Sequence, residues 1–339
     1  MRHRILAAGA VATLLAVLAT AALVEASSWI GRPFPGFLVL ANRVVASAAL
    51  PGWPASRGGV LFQHEVLAVE GDPVADGASL RARVAARPSG SAFDYRLRRD
   101  ARVFERRIES RRFEVADFLW LFGSYFLNGV VLGACGVAIL AQRKRSEAAW
   151  SAVPLLLAGS VWGLTAMDLY GPYRFFRLHA LCEAVLPAAA LHFAWTFPSP
   201  LGSATLRRRF IRAGYLAALV LAAVYELVLY RPEAYTAVHL AATSALGLSM
   251  LAVIAAQVAR AVRPGPAQAR QQLRILAWGA VLALLPIAGL TLADAITGGR
   301  AAQNAVGFTA FWFALAIRHA ALRGPGRAEP LRHGSRQDP

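Results

Sequence analysis

The chain has 339 residues, and its 36 lysines and arginines against 19 acidic residues give a formal net charge of +17. Hydrophobic residues make up 57% of the chain and charged residues only 16%, whereas an ordinary soluble domain is about 25% charged. This composition excludes a single soluble globular domain and a disordered basic tail, and roughly eight apolar runs approach the ~20 residues that cross a bilayer.

The first apolar run, residues 5–24, comes directly after the basic start Met1-Arg2-His3-Arg4. A basic start before an apolar run is typical of a signal peptide or of a signal anchor. The run is as long as a full span, whereas the apolar core of a signal peptide is ~7–15 residues long, so we expect an uncleaved anchor over residues 1–29. Cleavage near Val24-Glu25-Ala26 is the alternative, and both interpretations export the segment that begins at residue 30.

Residues 30–112 lack long apolar runs and carry 14 arginines and 8 acidic residues. Short alternating segments in this stretch predict a strand at 66–69, a helix at 79–86 and a pair of strands at 93–97 and 103–108. Gly71-Asp72 supplies a turn after the first strand. We call residues 30–112 the inserted domain and expect it to be extracytoplasmic and mostly β.

The apolar runs resume after the inserted domain and predict a bundle of seven spans within residues 113–323. Gly129 and Gly133 form a small-residue motif that predicts close packing of two of these spans. A basic tail, residues 324–339, comes after the bundle. The predicted spans are 115–141, 148–167, 175–197, 211–229, 236–261, 273–296 and 304–321. The predicted fold class is therefore a polytopic α-helical membrane protein of about eight spans, with a small domain inserted after the first.

Basic residues in the short loops predict which side each loop occupies, because cytoplasmic loops carry an excess of Lys and Arg. With a cytoplasmic N-terminus, the inner segments hold 18 basic and three acidic residues. The outer loops hold only Arg174, Arg177, Arg231 and Arg300. We expect a protein of the bacterial inner membrane with both termini in the cytoplasm. The positive net charge then records which loops face the cytoplasm, and attraction to anionic lipid is a consequence. Binding to nucleic acid is not needed to explain this charge.

Three segments of the inserted domain carry a resemblance to a known fold: Val44-Val45-Ala46-Ser47, Pro54-Ala55-Ser56-Arg57-Gly58-Gly59-Val60 and the stretch 65–74. Together they resemble a bacterial PDZ domain, over most of residues 35–112. PDZ domains bind an extended peptide along a sheet edge. The resemblance implies a peptide or protein ligand and a groove formed by Gly36, Phe37, Leu38, Leu40 and Asn42.

Pro35 departs from the PDZ pattern, because it has no amide hydrogen to offer a terminal carboxylate. A rigid spacer or a protein contact is therefore the alternative role of the inserted domain.

The spans carry a second resemblance, through Phe193-Ala194-Trp195-Thr196-Phe197-Pro198-Ser199-Pro200, Arg270-Gln271-Gln272-Leu273-Arg274 and Phe313-Ala314-Leu315-Ala316-Ile317-Arg318. These segments are similar to the membrane input region of bacterial sensor histidine kinases. In that family such a region precedes a cytoplasmic kinase, phosphatase or cyclase. The sequence contains no phosphoacceptor His segment and no Gly-rich ATP loop. The resemblance implies a stand-alone input module with a separate cytoplasmic output partner, docking on 143–145, 207–212 and the tail.

Ionisable residues inside spans are costly and are candidates for function. The candidates are His179, Glu183, Glu226, His239 and Asp294, all toward the outer end of the bundle, and we expect them to line a polar pocket beneath the inserted domain. His179 and Glu183 are four residues apart and share a helix face. The alternative is that these groups pair with one another and reach toward the membrane interface.

Other classes fit the motifs less well. His64-Glu65-Val66-Leu67-Ala68 begins like a zinc-protease motif but has Ala68 at the position of the second histidine. We therefore expect no catalytic residues, no metal and no cofactor. The predicted function is a non-enzymatic membrane sensor that relays an extracytoplasmic signal. The alternatives are a proton-coupled small-solute transporter, or an adaptor subunit of a membrane protease or cell-envelope complex.

Overall fold

The computed structural model describes residues 2–57, 62–142, 146–263, 267–299 and 315–318. Within these ranges the chain forms a bundle of long helices with a small α+β domain on one end. The predicted span 304–321 lies outside the described residues, except for the short helical piece 315–318. The basic groups 143–145, Arg300 and the tail 324–339 also lie outside the described residues.

Seven helices in the described ranges are long and apolar enough to cross a membrane. The chain is therefore a multi-pass helical protein. These helices are α1 Arg2–Ser27, α3 Val115–Leu140, α4 Glu147–Ala166, α5 Phe176–Thr196, α6 Ala204–Val228, α7 Pro232–Ala261 and α8 Ala267–Ile296.

The helix boundaries depend on capping chemistry as well as on hydropathy. α6 begins at Ala204 and not at residue 211 as predicted, because the hydroxyl of Ser203 accepts the N–H of Leu206 and caps the helix. α7 begins at Pro232, where the missing N–H of proline costs nothing. The arginines 207–209 therefore lie in the first turns of α6 and not in a loop.

The inserted domain contains a four-stranded antiparallel sheet with the strand order β3-β2-β4-β5. Its strands are β2 Glu65–Val69, β3 Asp72–Pro73, β4 Ala92–Arg99 and β5 Arg102–Glu109, and the helix α2 Gly77–Ala85 comes after β3. Asp76 and Ser79 form a capping box at the start of α2. The sheet and helix occur where the alternating pattern predicts them, and the PDZ identity stays a prediction.

A second, two-stranded sheet closes the inserted domain at its base. β1 Pro33–Phe34 pairs with β6 Arg111–Arg112 in antiparallel fashion. The bonds continue beside the strands, since Gly31 N–H donates to Phe113 O over 2.8 Å and Phe113 N–H donates to Arg32 O over 2.9 Å. The chain therefore leaves α1 and returns to α3 at the same place.

The inserted domain is docked on the helices through a shared hydrophobic core. The core runs without a break from Phe34, Leu40 and Trp53 in the domain to Tyr225 and Tyr235 in the helices. Hydrogen bonds that cross this junction include Trp53 Nε1 to Asp117 Oδ1 (3.0 Å), Asn42 Nδ2 to Leu229 O (2.8 Å) and Tyr173 OH to Val39 O (3.2 Å). The domain lies on the end of the bundle that holds the α4–α5 and α6–α7 connections.

Close packing of α3 on α4 depends on glycine at the predicted small-residue motif. A Cβ on Gly129 would lie 2.7 Å from Leu164 Cγ and 3.1 Å from the Leu164 backbone nitrogen. The Gly129 carbonyl also accepts the Ser160 hydroxyl over 2.6 Å. The two backbones can approach this closely only because residue 129 has no side chain.

We predict that Gly129→Ala destabilises the bundle by about 1–3 kcal/mol, because the added methyl group forces α3 and α4 apart. Thermal unfolding of the full chain in detergent measures this as a lower Tm. Gly123→Ala on the same helix is the matched control, since nothing lies within 4 Å of the new methyl group. Equal Tm values for the two variants would contradict the packing account.

Candidate functional site

The candidate site is centred on a carboxylate buried among three helices. Glu183 lies on α5 and is 2% exposed. The Tyr225 hydroxyl of α6 donates to Glu183 Oε1 over 2.8 Å. Nδ1 of His239 on α7 lies 2.8 Å from the same oxygen. A carboxylate removed from water needs such partners, so one side chain ties α5 to both α6 and α7.

Aromatic and hydroxyl groups extend this cluster on both sides of the carboxylate. The Tyr235 ring stacks on His239 at 5.6 Å with 10° between the planes. His179, one turn before Glu183 on α5, contacts the Thr165 hydroxyl through Nδ1 at 3.1 Å. The Trp162 ring lies 5.1 Å from the His179 ring. The His179 ring is therefore held by α4, whereas the His239 ring is held by Tyr235 of its own helix and by Glu183 of α5.

A mostly apolar cavity of about 190 Å³ opens beside the cluster. Its lining comes from α3, α4, α5, α7 and α8, with Ile317, and it includes both Glu183 and His239. Its apolar lining includes Leu132, Leu156, Leu186, Leu246, Leu284 and Leu290. An apolar cavity of about 150 Å³ stays dry and binds benzene in another protein. The volume here suits a small apolar molecule with a polar group directed at Glu183.

The structure brings together some of the predicted pocket residues and separates others. His179, Glu183 and His239 meet as described, and the fully buried Asp294 of α8 interacts electrostatically with His239. Glu226 lies apart: its side chain is 55% exposed and faces Arg177, with Arg177 Nε 3.7 Å from Glu226 Oε2. Glu226 comes directly after Tyr225, so a helix turn of about 100° carries it away from the cluster.

The sequence singled out neither Trp162 and Thr165 beside His179 nor the two tyrosines of the cluster, Tyr225 and Tyr235. Both tyrosines lie inside or beside apolar runs, where tyrosine occurs as often in a core or at an interface as in a functional site. The informative sign was the spacing of His239 four residues after Tyr235, which places both on one helix face.

The predicted peptide groove lies at the junction with the helices. Gly36, Phe37, Leu38, Leu40 and Asn42 are all buried. The Leu40 N–H donates to Val44 O and the Ala46 N–H donates to Leu38 O, so the chain turns back on itself around residues 41–43. The Asn42 side chain is the group that bonds Leu229 of α6. In the described ranges this segment therefore contacts the bundle, and peptide binding at it stays a prediction.

A second buried carboxylate lies in the connection between α4 and α5. Asp168 is fully buried. Its Oδ2 accepts the Phe175 N–H over 2.7 Å, and its backbone oxygen accepts the N–H groups of Gly171 and Tyr173. Burial raises the pKa of the Asp168 carboxyl from 3.8 to about 6. The carboxyl orders the connection that presents the Tyr173 hydroxyl to Val39 of the inserted domain.

In the part of the chain that the structure describes, no group of three or more His, Cys, Asp and Glu side chains could hold a metal ion. Comparisons with protein-family models, curated proteins and solved structures return no match.

We predict that Asp168 makes the chain less stable as the pH rises through 6. Its pKa is higher in the folded chain than in the unfolded chain, so the folded state binds the proton more tightly. This advantage is complete below pH 4 and is lost above pH 6. Asp168→Asn keeps an oxygen for the Phe175 N–H and removes the charge. We expect it to exceed the parent's stability by at most about 3 kcal/mol at pH 7.5, with little difference at pH 4.

Thermal unfolding of the full chain between pH 4 and 7.5 measures this difference. Asp94→Asn, which removes a carboxyl group at an exposed position of β4, is the matched control. Parallel curves for the parent and Asp168→Asn would contradict a titration of Asp168.

Proposed function

We propose that the chain is a non-enzymatic membrane sensor, in which a small apolar molecule binds the interhelical cavity and the inserted domain responds. One observation carries the proposal: Tyr225 and Tyr235, which contact Glu183 and His239, belong to the same continuous core as the inserted domain. A change at the cavity therefore acts on side chains that pack beneath the domain.

The physical route from the cavity to the domain is short. The Tyr235 ring lies 6.1 Å from Tyr225 and 5.7 Å from Phe176. Leu229, the C-cap residue of α6, lies one turn after Tyr225, and its carbonyl accepts the side-chain N–H of Asn42 in the domain. A ligand shifts the equilibrium only if it prefers one arrangement of these contacts. A polar ligand group that takes Glu183 from His239 or Tyr225 supplies such a preference.

The route toward the opposite end of the bundle runs along α5 and α7. These helices are tied near the cavity by Glu183 and His239. They are tied again near their other ends, where Arg260 Nη2 donates to Ala194 O over 2.7 Å and Gln257 Nε2 donates to Phe197 O over 3.1 Å. Glu183 and Ala194 are about 16 Å apart along α5. Because α5 and α7 are joined at both levels, a displacement at Glu183 and His239 is transmitted along the helices to the contacts of Gln257 and Arg260.

The sensor proposal extends to partners by resemblance. A PDZ-like inserted domain would contact a peptide or protein outside the cytoplasm. Similarity to the input region of sensor histidine kinases suggests a separate kinase, phosphatase or cyclase as the output protein, at the end where Arg260 contacts Ser199. The input comes from outside or from the membrane, and the output leaves on the cytoplasmic side.

Bromobenzene is the probe for the cavity, used with the full chain in lipid nanodiscs. We expect it to raise the Tm, because a ligand that binds only the folded state stabilises it. Ala190→Leu fills the cavity from α5 and should abolish the shift. Ala223→Leu, on α6 away from the lining of the cavity, should leave the shift unchanged.

Hydrogen exchange with phenol then tests the relay, because phenol has a similar ring and adds a hydroxyl group that can bond Glu183. Bound phenol should change the exchange of the Leu40 and Ala46 amides in the domain and of the Phe197 and Leu201 amides at the opposite end, all of which are hydrogen-bonded. Binding without any change at either end would overturn the sensor function while leaving the cavity as a ligand site.

Proton-coupled transport is the second candidate, because a buried carboxylate and an imidazole meet beside a cavity. Proteoliposomes with an imposed pH gradient separate the two functions. Proton flux that requires the parent chain and disappears in Glu183→Gln would favour transport, and equal flux in both would favour the sensor.

A further inference from the structure

A separate cleft lies where α1 meets the inserted domain. It has a volume of about 170 Å³. One wall comes from the residues just after α1, through Ser28, Trp29 and Arg32, and the other comes from α2, through Arg81. Small apolar side chains of both walls complete the lining. The cleft shares no lining residue with the interhelical cavity.

The cleft is positively charged. Arg32 and Arg81 both line it, and no acidic side chain does. Neither arginine forms an ion pair with a carboxylate in the described part of the chain. Two guanidinium groups without a counter-ion at one cleft form a site for an anion, and planar guanidinium donors match phosphate oxygens well.

The Arg81 guanidinium is held in place before any ligand arrives. Its central carbon lies over the Trp29 ring, 5.1 Å from the centroid. On another side it packs against Gly171, where a Cβ would lie 2.5 Å from Arg81 Nη1. A side chain fixed on two sides loses little rotamer freedom on binding, which favours a specific anion contact over a diffuse one.

Trp29 lies in the wall of the same cleft, and its indole N–H is buried. The residue is 4% exposed, and its indole nitrogen has no hydrogen-bond acceptor among the described residues. A buried donor left without a partner is unfavourable. An anion that reaches the indole N–H would remove this penalty, and a phosphate has several acceptor oxygens.

The depth of the cleft identifies the source of the phosphate. The part of α1 that is long and apolar enough to cross a membrane ends at Ser27, and the cleft begins at Ser28. Its donors therefore lie at the level of the lipid headgroups, where tryptophan and arginine commonly anchor a chain. We infer that the cleft binds the phosphodiester of an anionic phospholipid, in the leaflet on the side of the inserted domain. The bound headgroup ties α1 to α2.

Native mass spectrometry of the detergent-solubilised full chain, titrated with phosphatidylglycerol, tests the inference. We expect the double variant Arg32→Gln/Arg81→Gln to bind at least about tenfold more weakly, since it loses both charge-assisted contacts with the phosphate. Trp29→Phe keeps a ring and removes the donor, and it should weaken binding severalfold. The control Arg96→Gln/Arg107→Gln removes the same charge from β4 and β5, away from the cleft, and should bind as the parent does.

Two further measurements make each outcome decisive. Arg81→Lys retains the charge, so it should bind better than the double variant while folding as the parent does by thermal unfolding. Inorganic phosphate is the competitor that separates the possible sources. Equal lipid binding by the parent and the double variant would overturn the site, and inorganic phosphate that binds as tightly as the lipid would overturn the lipid assignment.

Discussion

The Glu183 carboxylate is the constraint around which the helical part of the molecule is arranged. A carboxylate buried within a membrane bundle must find hydrogen-bond or charge partners inside the protein. Here the partners come from two other helices, Tyr225 on α6 and His239 on α7. The register of three helices is thereby fixed at one level. Tyr235 and Thr165 then hold the imidazoles, and the cavity opens where this polar layer meets the leucines of the surrounding helices.

The inserted domain is packed directly on the helical bundle and is not connected to it only through flexible linkers. Domains within one chain move freely unless the interface between them is large and apolar. The interface here is apolar and continuous, and it is crossed by hydrogen bonds from Asn42, Trp53 and Tyr173. Its polar contacts involve the first turn of α3, the α4–α5 connection and the end of α6, so the position of the domain depends on how these elements are placed relative to one another. Charge on Asp168 matters for the same reason, since it orders the connection that holds Tyr173.

The seven long helices of the described ranges could be predicted from the sequence, because the length and hydropathy of the apolar runs indicate where each helix lies. The start of α6 could not, because hydropathy overlooks the Ser203 cap that extends the helix through arginines. For the site, the spacing of His179 and Glu183 sufficed to place them on one face. The sequence does not show that Tyr225 faces Glu183 while Glu226 faces away, or that His239 is the partner of Glu183. Both depend on the orientation of α5, α6 and α7 about their axes. The burial of Asn42 against Leu229 depends on contacts across 187 positions of chain, which no local pattern contains.

The pairing of β1 with β6 has a mechanical consequence. Because both ends of the inserted domain pass through one two-stranded clasp, a displacement of the domain loads α1 and α3 together. These two helices are themselves in contact, with Leu15 close to Gly133. The paired strands therefore couple α1 and α3 mechanically, so that a displacement of the inserted domain is transmitted to both helices at the same point.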